Sequence, residues 1–172
     1  MNKKIYALTT LQGLFSKKYG IEMDLRLFDT IEQCRKEYNL LIKEFENSKD
    51  YIVNKGAEHT EIKYDQSRII LVAIQTYELN DVVNNQVHCV IKGNQDCDYI
   101  DNENLYLFND EKKASKKFLD LLYEHREYGY NVENTTIKYS IYEQCIEYFD
   151  FNDDDYWGFC KTELIKIESE VK

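Results

Sequence analysis

Between Tyr139 and Phe159 the chain places eight aromatic residues in 21 positions. The rings are Tyr139, Tyr142, Tyr148, Phe149, Phe151, Tyr156, Trp157 and Phe159, and Glu143, Glu147, Asp150, Asp153, Asp154 and Asp155 lie among them. A strand with one buried face hides only every second side chain. A segment with rings at neighbouring positions therefore leaves some of them for contact with another molecule. Exposed Tyr and Trp anchors ringed by carboxylates suit a basic protein surface, the rings supplying contact area and the charges steering the encounter. The same pattern mimics nucleic acid, with carboxylates where phosphates would stand. The competing reading is a two-sided aromatic core whose carboxylates hydrate the rim. The expected partner-binding residues are Tyr148, Asp150, Asp153, Asp154, Asp155, Tyr156 and Trp157.

Other constellations fall short of chemistry. Asp150, Asn152 and Asp154 occupy positions 1, 3 and 5 of a calcium-loop spacing. Such a loop needs Gly at position 6 for its turn and Glu at position 12, and the chain has Asp155 and Lys161 there. Asn94, Asp96 and Asp98 repeat the spacing with Tyr99 in the glycine position. His59, His88 and His125 have no partner three or four residues away that would make a metal pair on one helix. No glycine-rich phosphate cradle and no nucleophile elbow occurs among only six glycines. No cofactor and no metal are expected.

Five cysteines, 34, 89, 97, 145 and 160, form no C-x-x-C pair, which argues for reduced thiols rather than a disulfide framework or a structural zinc. The basic residues form no stripe suited to nucleic acid. Lys17 and Lys18 sit in a small loop with Phe15 and Tyr19, and Lys112, Lys113, Lys116 and Lys117 are expected on the solvent side of a helix.

Charge separates the halves. Residues 1–86 carry 12 Lys/Arg and 13 Asp/Glu, net −1; residues 87–172 carry 10 and 19, net −9. The acidic half should repel nucleic acid and anionic membranes and attract basic partners. The longest apolar run, Ile69–Ile74, has six residues, far below a membrane span. Thr9, Thr10 and Gln12 interrupt the apolar start, and no small-x-small cleavage site follows. The start therefore reads as a first strand rather than a signal peptide, and the expected compartment is the cytoplasm. Lys, Asn, Ile, Tyr and Phe make up 71 of the 172 residues and proline is absent, a bias toward AT-rich codons that fits an AT-rich bacterium, its phages or its mobile elements.

The elements that must position these residues come from an internal similarity. At an offset of 80, Gly13, Tyr19, Leu25, Leu27, Phe28, Lys36, Leu41 and Glu44 meet identical residues, 8 of the 32 positions from 13 to 44. Average composition would give roughly 6–7%. After a five-residue slip, Thr60–Tyr64 lies on Thr135–Tyr139. Each copy reads as hairpin, helix, hairpin.

Ile21, Met23, Leu25 and Leu27 alternate with Glu22, Asp24 and Arg26, the period of a strand with one buried face. Asp29 is the expected N-cap, with Glu32 closing a capping box. Ile31, Cys34, Tyr38, Leu41, Phe45 and Ile52 form one helical stripe reaching about Asn54. The second stripe, Ala114, Phe118, Leu121, Leu122 and Tyr128, stops before Gly129. The second helix is thus expected to be the shorter by about 1.4 turns. Asn80–Asn85 is the expected connector.

The expected fold class is α+β, with two tandem ββαββ pseudo-repeats and helices packed on one face of antiparallel sheet. The repeats would span 1–81 and 86–172, related by a pseudo-two-fold axis like a fused homodimer. The expected function is that of a non-enzymatic acidic inhibitor acting on a basic macromolecule. An anti-defence protein of a phage or mobile element, anti-CRISPR-like, would act this way by occluding a nucleic-acid-binding groove. The alternatives are a small enzyme or ligand sensor with its pocket at the junction of the repeats, and a homodimeric structural or immunity-type module.

Overall fold

A computed structural model describes residues 2–14, 20–64, 68–96, 99–127, 135–140, 145–150 and 156–169. Its elements run β1 (Asn2–Leu14), β2 (Gly20–Phe28), α1 (Ile31–Glu46), β3 (Ile52–Lys55), β4 (His59–Tyr64), β5 (Arg68–Asn80), β6 (Gln86–Asp96), β7 (Tyr99–Phe108), α2 (Glu111–Glu127), β8 (Thr135–Ser140), β9 (Cys145–Asp150) and β10 (Tyr156–Glu168). The fold is mixed α+β. The chain divides into two compact units, one of Met1–Gln86 with Ile165–Lys172, the other of Val87–Leu164.

In the first unit the strand order is β3-β4-β5-β1-β2. These neighbours are all antiparallel. β1 and β5 pair along their whole lengths, from Asn2 opposite Asn80 to Leu14 opposite Arg68. In the second unit the order is β8-β9-β10-β6-β7, with a register shift in β6–β7 between Lys92 and Asn94. Three strands follow each helix where two were expected. Thr60–Tyr64 lies on the middle strand of its meander, β4, whereas Thr135–Tyr139 lies on the first strand of its own, β8. Their sequence match is one of strand alternation, which any half-buried strand can satisfy, and not of place.

The additional strand in the first unit comes from an early helix stop. Asn47 caps α1, donating its amide to the Lys43 and Phe45 carbonyls. The Ser48 amide donates to the Phe45 carbonyl at 3.0 Å, the tight closure common in a last helical turn. The Ser48 hydroxyl then accepts from the Asp50 amide at 3.3 Å, a local bond that competes with continuing the helix. Ile52 therefore leaves the helical stripe for β3, where it is 67% exposed. α1 has 16 residues and α2 has 17, so the second helix is not the shorter one.

The start of α1 also moves by one residue. Thr30 is extended, and its side chain accepts from the Gln33 amide at 3.3 Å, which makes it the N-cap in place of Asp29. In α2, Asp110 accepts in the same way from the Lys113 amide at 3.1 Å. Cys34, Tyr38 and Ile42 are the buried residues of α1. They pack with Leu8, Phe28, Ile62, Ile70, Val72 and Ile74. In the second unit Ala114 and Leu121 of α2 pack with Val90, and Tyr106, Phe108 and Phe118 cover them.

The first unit's sheet is buried on both faces, contrary to the single buried face expected. Ile5, Ala7, Leu11, Leu25 and Leu27 are all buried outside the cluster that holds α1. β2 shows why. Glu22, Asp24 and Arg26 are exposed while Leu25 and Leu27 are buried, as the alternation predicts. Yet Arg26 reaches Glu37 of α1 at 3.6 Å, so Leu25 and Leu27 belong to the face away from the helix. The unbroken run Ile69–Ile74 has the same cause, because β5 is central and alternation is lost where both faces are covered.

Ile42 is fully buried and Leu40, two positions earlier, is 49% exposed. Ile42→Ala is expected to lower unfolding stability by about 2–5 kcal/mol, and Leu40→Ala by less than about 0.5 kcal/mol. Urea titrations of both variants measure the contrast, and equal losses would contradict the packing.

Candidate functional site

β9 ends at Asp150 and β10 begins at Tyr156. These two residues stand opposite each other, Phe149 faces Trp157 in register and Tyr148 faces Gly158. β8 extends the register on the other side, with Thr135 opposite Asp150 and Ile137 opposite Tyr148. Four of the seven expected contact residues, Tyr148, Asp150, Tyr156 and Trp157, are thus gathered at one end of one hairpin. Asp153, Asp154 and Asp155 lie outside the described residues. Tyr148, Asp150 and Tyr156 share one register parity, whereas Trp157 shares the other with Phe149.

The remaining candidates are dispersed. His59 opens β4 and is exposed, His88 stands opposite Phe108 and is half-buried, and His125 is in α2. Asn94 and Asp96 end β6 opposite Asp101 and Tyr99, so strands flank the second calcium-like spacing. Lys17 and Lys18 lie outside the described residues. Lys112, Lys113 and Lys116 are exposed. Lys117 departs from the solvent-facing expectation, with its ammonium 4.4 Å from the centroid of the Tyr106 ring, a cation–π distance. Among the described residues no group of three His, Cys, Asp or Glu is placed to hold a metal ion. Among them, too, no helix is long and apolar enough to cross a membrane.

A buried polar bridge escaped the sequence reading. The Tyr38 hydroxyl hydrogen-bonds Thr60 Oγ1 and donates to the Gly56 carbonyl at 3.4 Å. Thr60 is fully buried and Tyr38 is 3% exposed. The bridge ties α1 to β4 and to the β3–β4 turn. That turn closes with the Gly56 amide donating to the His59 carbonyl at 2.7 Å. A Cβ at residue 56 would lie 2.6 Å from that carbonyl oxygen, so only glycine fits. A helical stripe with a Tyr in it carries no sign of this bond, because the partner Thr is 22 positions away.

Cys34 and Cys89 are free, buried thiols. Burial pushes both up to about 12 from the ordinary 9.0. At Cys34 the nearby Arg35 charge opposes the shift and Glu58 adds to it; at Cys89 Glu163 adds to it. Neither thiol is a nucleophile at neutral pH, since the thiolate is the reactive form.

The folded state holds these two protons more tightly than the unfolded chain. Their contribution to stability is therefore complete below pH 9 and is lost between about pH 9 and 12. Urea midpoints measured across that window are expected to fall less steeply for Cys34→Ala than for the unaltered chain. Identical slopes would contradict a buried neutral thiol at 34. No family model, no curated protein and no solved structure matches this chain.

Proposed function

We propose that this chain is an internally duplicated, non-enzymatic binding protein whose acidic second half docks on a basic macromolecular partner. The carrying observation is the β9–β10 hairpin. Its register brings Tyr148, Asp150, Tyr156 and Trp157 together, at the two ends of a segment whose sequence is Phe-Asn-Asp-Asp-Asp. Aromatic anchors beside dense carboxylates are the combination that a cationic groove binds, rings filling pockets and charges steering approach.

The charge asymmetry supports the same reading, with nine of the ten net negative charges in residues 87–172. The duplication is supported by the common strand order of the two units and by matched burial. Leu25, Leu27 and Cys34 of the first unit and Leu105, Leu107 and Ala114 of the second are all buried. One copy then serves as scaffold while the other carries the contact. A partner that itself binds nucleic acid fits best, because its groove is already shaped for a row of negative charges. The codon-biased composition suits an inhibitor carried by a phage or other mobile element.

The test is affinity capture from the native host at low and high salt, followed by titration of the purified partner. Binding is expected to weaken as salt rises. It is expected to drop by at least about tenfold when Asp153, Asp154 and Asp155 are all changed to Asn. Trp157→Ala is expected to cost about 2 kcal/mol of binding, the size of a hot-spot contact. Unaltered affinity in the triple variant would remove this site from consideration.

A further inference from the structure

The first unit is not made from one stretch of chain. It takes Met1–Gln86, and then Ile165–Lys172 after the whole second unit has intervened. The returning segment docks on β2 in parallel, with Ile167 opposite Leu27 and Glu168 opposite Phe28. All of Ile167, Leu27 and Phe28 are buried to 1% exposure or less. The Ile167 amide donates to the Asn85 carbonyl at 2.7 Å, and the Asp29 amide donates to the Glu168 carbonyl at 3.2 Å. Asn85 Nδ2 donates to Ser169 Oγ at 2.8 Å, and Asn85 Oδ1 accepts from Lys3 Nζ at 2.7 Å. Asn85 and residues 167–169 therefore form one hydrogen-bonded group, seated on β1 and β2.

The chain leading into that group is held in an uncommon conformation. Asp81, Asn84 and Asn85 have φ of 56°, 55° and 56°. This left-handed region is costly for residues with a Cβ, Asn and Asp being the least penalised. Asn84 and Asn85 are the central pair of a turn that the Gln86 amide closes by donating to the Val83 carbonyl at 3.1 Å, while Val83 itself is 67% exposed and Asp81 bears its positive φ ahead of that turn.

We propose that two copies of this chain exchange this group, each seating its own Asn85 and residues 165–169 on the β1 and β2 of the other. The hinge is Asp81–Asn84. Identical chains offer identical docking sites, so the exchange reproduces the Ile167–Leu27 contact and the Asn85 and Glu168 hydrogen bonds. It also lets Asp81 leave its left-handed conformation. A short, strained hinge beside an element that returns from far along the chain is the arrangement that favours swapping. The occupant of the β2 edge is then a second copy of the same segment, supplied in trans.

The test is refolding of the full chain over a range of protein concentrations, read by sedimentation velocity. A dimer is expected whose share rises severalfold with refolding concentration and which persists after dilution into native buffer. Deleting Val82 and Val83 removes the reach needed to fold back, and is expected to convert most of the protein to dimer.

Complementation gives an independent reading. Leu27→Asp spoils the docking site and Ile167→Asp spoils the docked segment. Refolded together, the two variants are expected to form a mixed dimer with one intact docking site and a higher urea midpoint than either variant alone. Monomer at every concentration in both the unaltered and the deleted chain would overturn the proposal. So would a dimer that dissociates at once on dilution, or a mixture that yields no mixed dimer.

Discussion

The antiparallel ladder between β1 and β5 is the constraint on which the first unit depends. It joins residues 2–14 to residues 68–80 over their full length. Every other strand of that unit takes its place from it, β2 on one side and β4 on the other. Because both strands are internal, their backbone groups are satisfied mainly by each other and by those neighbours, with the Ile74 amide donating instead to the Glu58 carbonyl at 2.8 Å. Such distant partners form only after a long loop has closed, an entropic cost that burial must offset. The apolar run Ile69–Ile74 supplies that burial on both faces, and Leu8 and Leu11 supply it from β1.

α1 rests on this ladder rather than on its own propensity. Its three buried residues pack with side chains from β1, β2, β4 and β5, and its ends are set by local bonds at Thr30 and Asn47. The buried Tyr38–Thr60 bond adds direction to an otherwise apolar contact, since a buried hydroxyl left unpaired costs about 1–3 kcal/mol. The ion pairs around it, such as Arg35–Glu58 and Lys55–Glu46, lie between side chains that are 42–57% exposed. Water screens pairs of that kind, so they contribute little to stability.

The candidate site was legible as composition and not as geometry. Rings and carboxylates between residues 139 and 159 stand out in the one-dimensional chain. Which of them are neighbours depends on where the hairpin turns, and alternation alone does not reveal that. The pairing of Asp150 with Tyr156 and of Phe149 with Trp157 is set by the antiparallel register of β9 and β10. The same limit explains the misplaced Thr135–Tyr139 correspondence. Local similarity identifies a strand, while its rank in a meander depends on partners elsewhere.

By itself the sequence determined the α+β class, the two helices, the buried positions Leu25, Leu27, Cys34 and Tyr38, and the concentration of charge in the second half. Each of these is written in local periodicity or in simple counts. The tertiary structure alone decided three other matters. It drew Ile52–Lys55 into β3, paired with β4 from Ile52 opposite Lys63 to Lys55 opposite Thr60. It covered the second face of the first unit's sheet. And it returned Ile167 to a place beside Leu27. The physical reason is common to the three: each is a competition between a local preference and partners distant in the chain, and the local pattern records only one of the two sides.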